Sequence, residues 1–126
     1  LFLDRDNVRS GLKTILTAIE QVKNGISIFI FPEGTRNKGE ELSVLPFHDG
    51  SFKIAEKTGC PIIPVSINNS VQIFEAHFPI IRKTHVVLEY GEPIYPNTLD
   101  KEAKKQLGTY CHDLIEETIK KNVALV

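Results

Sequence analysis

Six residues between Gly25 and Pro32 limit the fold more than any other stretch. The run Ile26-Ser27-Ile28-Phe29-Ile30-Phe31 is β-branched and aromatic, apolar on both faces, and too short for a helix. A strand of that kind sits inside a sheet with both faces covered. Before it, Val8, Leu12, Ile15, Leu16, Ile19 and Val22 recur at helical spacing along one face. Asn7 or Asp6 can cap the start of this helix, and Asn24-Gly25 stops it. Leu1-Phe2-Leu3 reads as the end of an earlier strand. Beyond an irregular polar region at 32–49, a short helix ends at Gly59 and a second buried strand follows in Pro61 to Ile67. Its prolines, Pro61 and Pro64, argue for an edge or bulged position. A third strand covers Val86 to Tyr90 and stops at Gly91. The last helix runs from about Leu99 to Val123, with Ala103, Leu107, Cys111, Leu114, Ile115 and Ile119 on one face and Gly108 weakening it locally. This alternation predicts an α/β fold with a mixed, largely parallel sheet flanked by helices, as a single domain over residues 1–126.

Composition removes several function classes. The net charge of −1 provides no global basic field for nucleic acid. No apolar run approaches the roughly 20 residues of a membrane-spanning helix. Cys60 and Cys111 form no disulfide framework and fit a reducing compartment as small buried hydrophobes. No Cys/His cluster has zinc-ligand spacing, so no metal is expected. The chain contains no methionine and opens inside an apolar-then-charged pattern, so the N-terminal part of the domain is expected upstream of Leu1.

The chemistry gathers where strands end. Glu33, Gly34, Thr35 and Arg36 follow directly from the apolar run, and the Pro32 ring stiffens the exit. Gly34 allows close backbone approach to a ligand, and Arg36 offers a planar fork suited to phosphate or carboxylate. Glu33 can accept from a hydroxyl or hold Arg36; a plain surface loop with an internal Glu33–Arg36 pair accounts for the same residues. Leu1-Phe2-Leu3 runs similarly into Asp4 and Arg5. If the two strands are parallel neighbours joined by the intervening helix, Arg5 and Arg36 emerge at one end of the sheet, where two guanidinium groups would suit a phosphomonoester. Gly50, Ser51 and Phe52 stand near a helix start, where free N–H groups favour anions, although a simple cap reads equally well. No nucleophile or general base is apparent. His112 and Asp113, adjacent on the last helix, are not expected to share a face.

At this point the residues resemble a family. Phe31-Pro32-Glu33-Gly34-Thr35-Arg36 is similar to the third sequence block of the glycerolipid acyltransferases, the 1-acylglycerol-3-phosphate O-acyltransferase-like enzymes. Phe2-Leu3-Asp4-Arg5 resembles their second block. Phe47-His48-Asp49-Gly50-Ser51-Phe52 resembles a Phe-Lys-x-Gly-x-Phe stretch. Cys60-Pro61-Ile62-Ile63-Pro64-Val65 resembles the fourth block, and Gly91-Glu92-Pro93-Ile94 a Gly-x-Pro-Ile that follows. The pieces occur in the family's order over about residues 1–95.

The resemblance implies a glycerol-3-phosphate acyltransferase-like fold and transfer of a fatty acyl group from acyl-CoA or acyl carrier protein to a lysophospholipid hydroxyl, in phospholipid biosynthesis. It implies no cofactor beyond that thioester co-substrate. Arg5 and Arg36 would bind the acceptor phosphate, Glu33, Gly34 and Thr35 would shape the acceptor site with Gly50, and Pro64 would belong to the acyl side. Partners would be the lysophospholipid, the acyl donor and a membrane surface, with the protein cytoplasmic or on the cytoplasmic face of a membrane. The family's His-x-x-x-x-Asp block is missing: residues 53, 82, 90 and 117, five beyond each histidine, are Lys, Arg, Tyr and Glu. It is expected upstream of Leu1. Without it, a non-catalytic phospholipid-binding domain is the alternative. His48-Asp49 departs from the family's Phe-Lys and removes one fixed positive charge.

Overall fold

A computed structural model of the chain describes residues 6–40 and 42–126. The expected strand end at 1–4 and Arg5 lie outside the described residues. Helix α1 spans Val8–Lys23. Asn7 is its cap, its side chain accepting the Ser10 amide at 3.1 Å, and Gly25 ends it with φ +83°. Ala18 is buried and Ile15, Ile19 and Val22 are half-buried, but Val8, Leu12 and Leu16 are exposed. The apolar stripe is thus covered over only part of its length, by helix α2, Lys53–Thr58. A turn of 3-10 helix, Asp49–Phe52, leads into α2, and Gly59 caps its end in the left-handed region at φ +71°.

Strand β1, Val65–Asn68, pairs with β2, Val87–Tyr90. Val65 faces Tyr90 and Asn68 faces Val87, so the pair is antiparallel. An antiparallel bridge between Ile62 and Ile94, with both amide–carbonyl distances 2.8 Å, prolongs it. The expectation of a largely parallel sheet is therefore corrected for these strands. Parallel neighbours need a crossover, usually helical. The link from Asn68 to Val87 instead carries only short 3-10 turns at Ser70–Ile73 and Glu75–His77 and returns the chain alongside itself.

The run 26–31 differs from expectation too. It is assigned to no strand, and Phe29 and Phe31 are 60% and 71% exposed. A strand exists through its ladder, and among the described residues no neighbour runs beside this one. The covered central strand is thus not found here.

The final helical region forms α3, Lys101–Lys105, and α4, Leu107–Lys121. The break falls at Gln106, two residues before Gly108. Gly108 serves another purpose: a Cβ there would lie 3.3 Å from the Phe52 ring. Its lack of a side chain lets Phe52 pack tightly against α4. Leu107, Cys111 and Phe52 form the core, with Phe47, Ile62, Ile94 and Leu99 around them. β1 turns a polar face inward: Ser66 and Asn68 are buried and donate to the carbonyls of Ile115 (3.5 Å) and Ile119 (2.8 Å) on α4. Buried polar groups require such partners, and here they tie strand to helix.

Candidate functional site

The apolar run ends in a tight turn. The Gly34 amide donates to the Phe31 carbonyl at 3.1 Å, with Pro32 second and Gly34 fourth, the composition that suits a type I turn. Gly34 has φ +70°, which a side chain would strain. The turn places Glu33, Gly34, Thr35 and Arg36 together. Glu33 is half-buried; Thr35 and Arg36 are exposed.

Glu33 is not held by Arg36. Its Oε2 accepts the backbone amide of Leu45 at 2.9 Å, and among the described residues Arg36 forms no ion pair. The acid is committed to the backbone and the guanidinium is exposed. A second tie, the His48 amide to the Pro32 carbonyl at 2.9 Å, fixes the start of the Phe47-His48-Asp49-Gly50 stretch to the turn. Between the two ties, the Asn37 side chain donates to the Ser43 carbonyl at 2.6 Å and accepts from the Gly39 amide at 2.8 Å. The fourfold cluster of residues 33–36 and the segment leading to Gly50 are thus one fastened unit.

Gly50 lies inside the 3-10 turn, 3.7 Å from the Ile15 side chain when given a Cβ. The amides of Ser51 and Lys53 are already taken by the carbonyls of His48 and Gly50. α2 has six residues, too few for a strong N-terminal dipole. Gly50 is therefore linked to the turn through the chain, by way of the His48–Pro32 bond. Pro64 stands apart. It is buried before β1, its carbonyl accepts the Gly91 amide at 2.8 Å, and it lines a groove of about 400 Å³ with Tyr90, Ile94, Tyr110 and Leu114. None of residues 33–36 lines that groove.

Inspection of the sequence missed a contact from α4. His112 Nε2 lies 2.8 Å from the Val44 carbonyl, and Glu116 Oε2 accepts the Val44 amide at 3.3 Å. The Phe47 ring meets the imidazole edge-on at 5.2 Å. His112 Nδ1 also lies 2.9 Å from Asp113 Oδ1, so these neighbours do meet, contrary to expectation. Helical spacing separates their faces, but an imidazole lying along the helix surface brings Nδ1 within reach of the next side chain. The Asp113 contact, the Val44 carbonyl and the nearby carboxylates raise the His112 pKa from its ordinary value, against desolvation. Glu116 is lowered, first by Lys120 and then by the Val44 amide. The only signal in the sequence was a His and a Glu four apart on one helix face.

Burial pushes the Cys111 thiol up to about 11, so it stays neutral in the core and is no nucleophile. Among the described residues no group of three or more His, Cys, Asp or Glu could hold a metal ion.

Comparison with known proteins places the turn inside a region shared with a protein family. The acyltransferase family model matches residues 1–68, which include the turn and the Phe47–Phe52 stretch. The 1-acyl-sn-glycerol-3-phosphate acyltransferase of Borreliella burgdorferi is 43% identical over 123 residues, covering 95% of this chain and 48% of that protein. The enzyme of the same name from Haemophilus influenzae is 36% identical over 123 residues, covering 94% and 48%. The crystal structure of the 1-acyl-sn-glycerophosphate (LPA) acyltransferase from Thermotoga maritima superposes with a TM-score of 0.76 at 31% identity, over 88% of this chain and 44% of that one. The chain spans about half the length of these relatives. With the model matching 68 of its 126 residues, and a fastened Glu-Gly-Thr-Arg turn inside the matched part, the chain belongs to the acyltransferase family.

Proposed function

We propose that the full-length protein transfers a fatty acyl group from a thioester, on coenzyme A or acyl carrier protein, to the free hydroxyl of lysophosphatidic acid or a related lysophospholipid. The hydroxyl oxygen bonds to the acyl carbon, the carbon–sulfur bond breaks, and the thiol leaves with the proton. The observation that carries this reading is the turn at Phe31–Arg36. It locks Glu33 onto Leu45 and leaves the Arg36 guanidinium exposed, within the part matched by the family model. The relatives' names specify a 1-acyl-sn-glycerol 3-phosphate acceptor, and a planar fork of donors is suited to that phosphate. Arg5 would join it, and Glu33, Gly34, Thr35 and Gly50 would frame the acceptor. Pro64, on its separate groove, would serve the acyl side. The general base is assigned to a His-x-x-x-x-Asp block outside these 126 residues.

The test is acyl transfer by the full-length protein from acyl-CoA, and separately from acyl carrier protein, to lysophosphatidic acid. Formation of phosphatidic acid is expected. Binding of lysophosphatidic acid with no transfer from either donor would favour the non-catalytic lipid-binding domain instead.

We further assign the working location to the cytoplasmic face of a membrane. No helix among the described residues is long and apolar enough to cross one. The loop between β1 and β2 supports surface attachment. Its neck is closed by the Arg82 amide on the Ile73 carbonyl (2.8 Å) and by the Asn69 side chain on the His85 carbonyl (2.9 Å). Its tip exposes Phe78, Ile80 and Ile81, with Phe78 and Ile81 each 75% exposed, directly before exposed Arg82 and Lys83. Apolar side chains beside cations match an anionic lipid surface. These 126 residues contain no tryptophan. A Phe78→Trp variant of the full-length protein, measured against its parent, should gain fluorescence that is quenched by brominated acyl chains in anionic vesicles. Unquenched emission from that residue would place the tip in water.

A further inference from the structure

α4 grips the backbone of one residue, Val44, from both sides, in the loop behind the acceptor turn. The Val44 amide donates to Glu116 and its carbonyl faces His112 Nε2, a contact across 68 residues of sequence. The next amide along, that of Leu45, holds the Glu33 carboxylate. His112 and Glu116 on the helix, Val44 and Leu45 in the loop, and Glu33 in the turn are thus one connected set.

The two ring nitrogens of His112 both face acceptors, a backbone carbonyl and the Asp113 carboxylate. A neutral imidazole carries one N–H and can serve only one of them; the imidazolium serves both. The groups facing the ring are Asp113 and Glu116 from α4, and the Val44 carbonyl and Phe47 ring from the loop. Lys120 is paired with Glu116 through that residue's other oxygen.

We propose that His112, as the imidazolium, is a positioning residue for the acceptor turn: with Glu116 it fixes the Val44 backbone on both sides, and the Val44 carbonyl it holds shares a peptide with the Leu45 amide that holds Glu33 in the turn that presents Arg36. The inference rests on the acceptor-site reading above. His112 acts through the loop and touches no reacting atom. The direction with pH follows from the contacts. The folded state raises the His112 pKa, first through Asp113 and then through the Val44 carbonyl. The clasp is therefore complete below the ordinary histidine value of about 6.5 and is released as pH rises through the raised one.

Steady-state kinetics of the full-length protein with lysophosphatidic acid, run from pH 6 to pH 9, test this. His112→Ala should raise the acceptor KM about tenfold at the acid end, the order expected for one lost charge-assisted bond, with kcat less affected. It should also abolish the wild-type rise of KM with pH. His112→Gln, which keeps a donor but does not titrate, should restore most of the KM with a flat pH profile. An acceptor KM in both variants that follows the wild type across the range overturns the proposal. A second readout needs no turnover: hydrogen-exchange protection of the Val44 and Leu45 amides should fall as His112 titrates in the wild type and be independent of pH in His112→Gln. Protection that ignores His112 overturns the clasp itself. Inactive wild-type protein with the clasp intact overturns instead the acceptor-site reading on which its role depends.

Discussion

Replacing Arg36 by alanine in the full-length protein is expected to lower kcat/KM for lysophosphatidic acid by about two to four orders of magnitude. The figure follows from the geometry of the turn. A guanidinium grips phosphate through two parallel charge-assisted bonds, each contributing about 1.5–3 kcal/mol, and about 1.4 kcal/mol is tenfold. Losing the fork loses both. On the proposed reading the acceptor phosphate takes no part in the bonds made and broken, so it would be held similarly in ground and transition states. The loss should therefore appear mainly in KM. Arg36→Lys should recover only part, because a point charge does not reproduce the planar fork. Thermal stability should hardly change, since the side chain is exposed and forms no ion pair among the described residues. Kinetic constants for the acceptor in the two variants read the effect directly. Values for Arg36→Ala within about threefold of the wild type would remove the residue from the phosphate site.

Leu107→Ala is expected to carry the largest cost in stability, about 3–4 kcal/mol. Leu107 is 1% exposed and packs with Phe52 and Cys111, and Gly108 beside it holds the Phe52 ring close. Collapse into the space is restricted because three segments meet there: α4, the turn before α2, and the Ile62–Ile94 bridge. Against a total folding free energy of about 5–15 kcal/mol, that is a large share. Phe47 leans on the same cluster and stacks on Phe52 at 6.3 Å, so the loss should also loosen the loop behind the Phe31–Arg36 turn. Urea denaturation should show a lower midpoint with an unchanged slope. A shift below about 1 kcal/mol would mean the site refills and Leu107 is not the centre of the core.

Local signals in the chain were read well where local physics decides. Asn7 caps α1 and Gly25 ends it, as the side-chain types require. The face from Ala103 to Ile119 is the buried one, and Gly59 closes α2 in the left-handed region. Arg36 and Glu33 could be recognised as chemical groups, but their partners could not. Spacing offered Arg36 to Glu33, whereas the carboxylate takes an amide twelve residues away. His112 was a helix residue without a role because Val44 lies 68 positions earlier, and periodicity within one element carries nothing about such distances. The run 26–31 shows the same limit. Its composition specifies that it wants neighbours on both sides, and not which strand supplies them. The break at Gln106 was also illegible, since no proline or glycine occupies that position.

A crystal structure of the full-length protein with sn-glycerol 3-phosphate bound would test the central claim most directly. The account predicts phosphate oxygens about 3 Å from the Arg36 guanidinium, with Glu33 still bonded to the Leu45 amide. A phosphate bound elsewhere, with Arg36 turned to solvent, would contradict it.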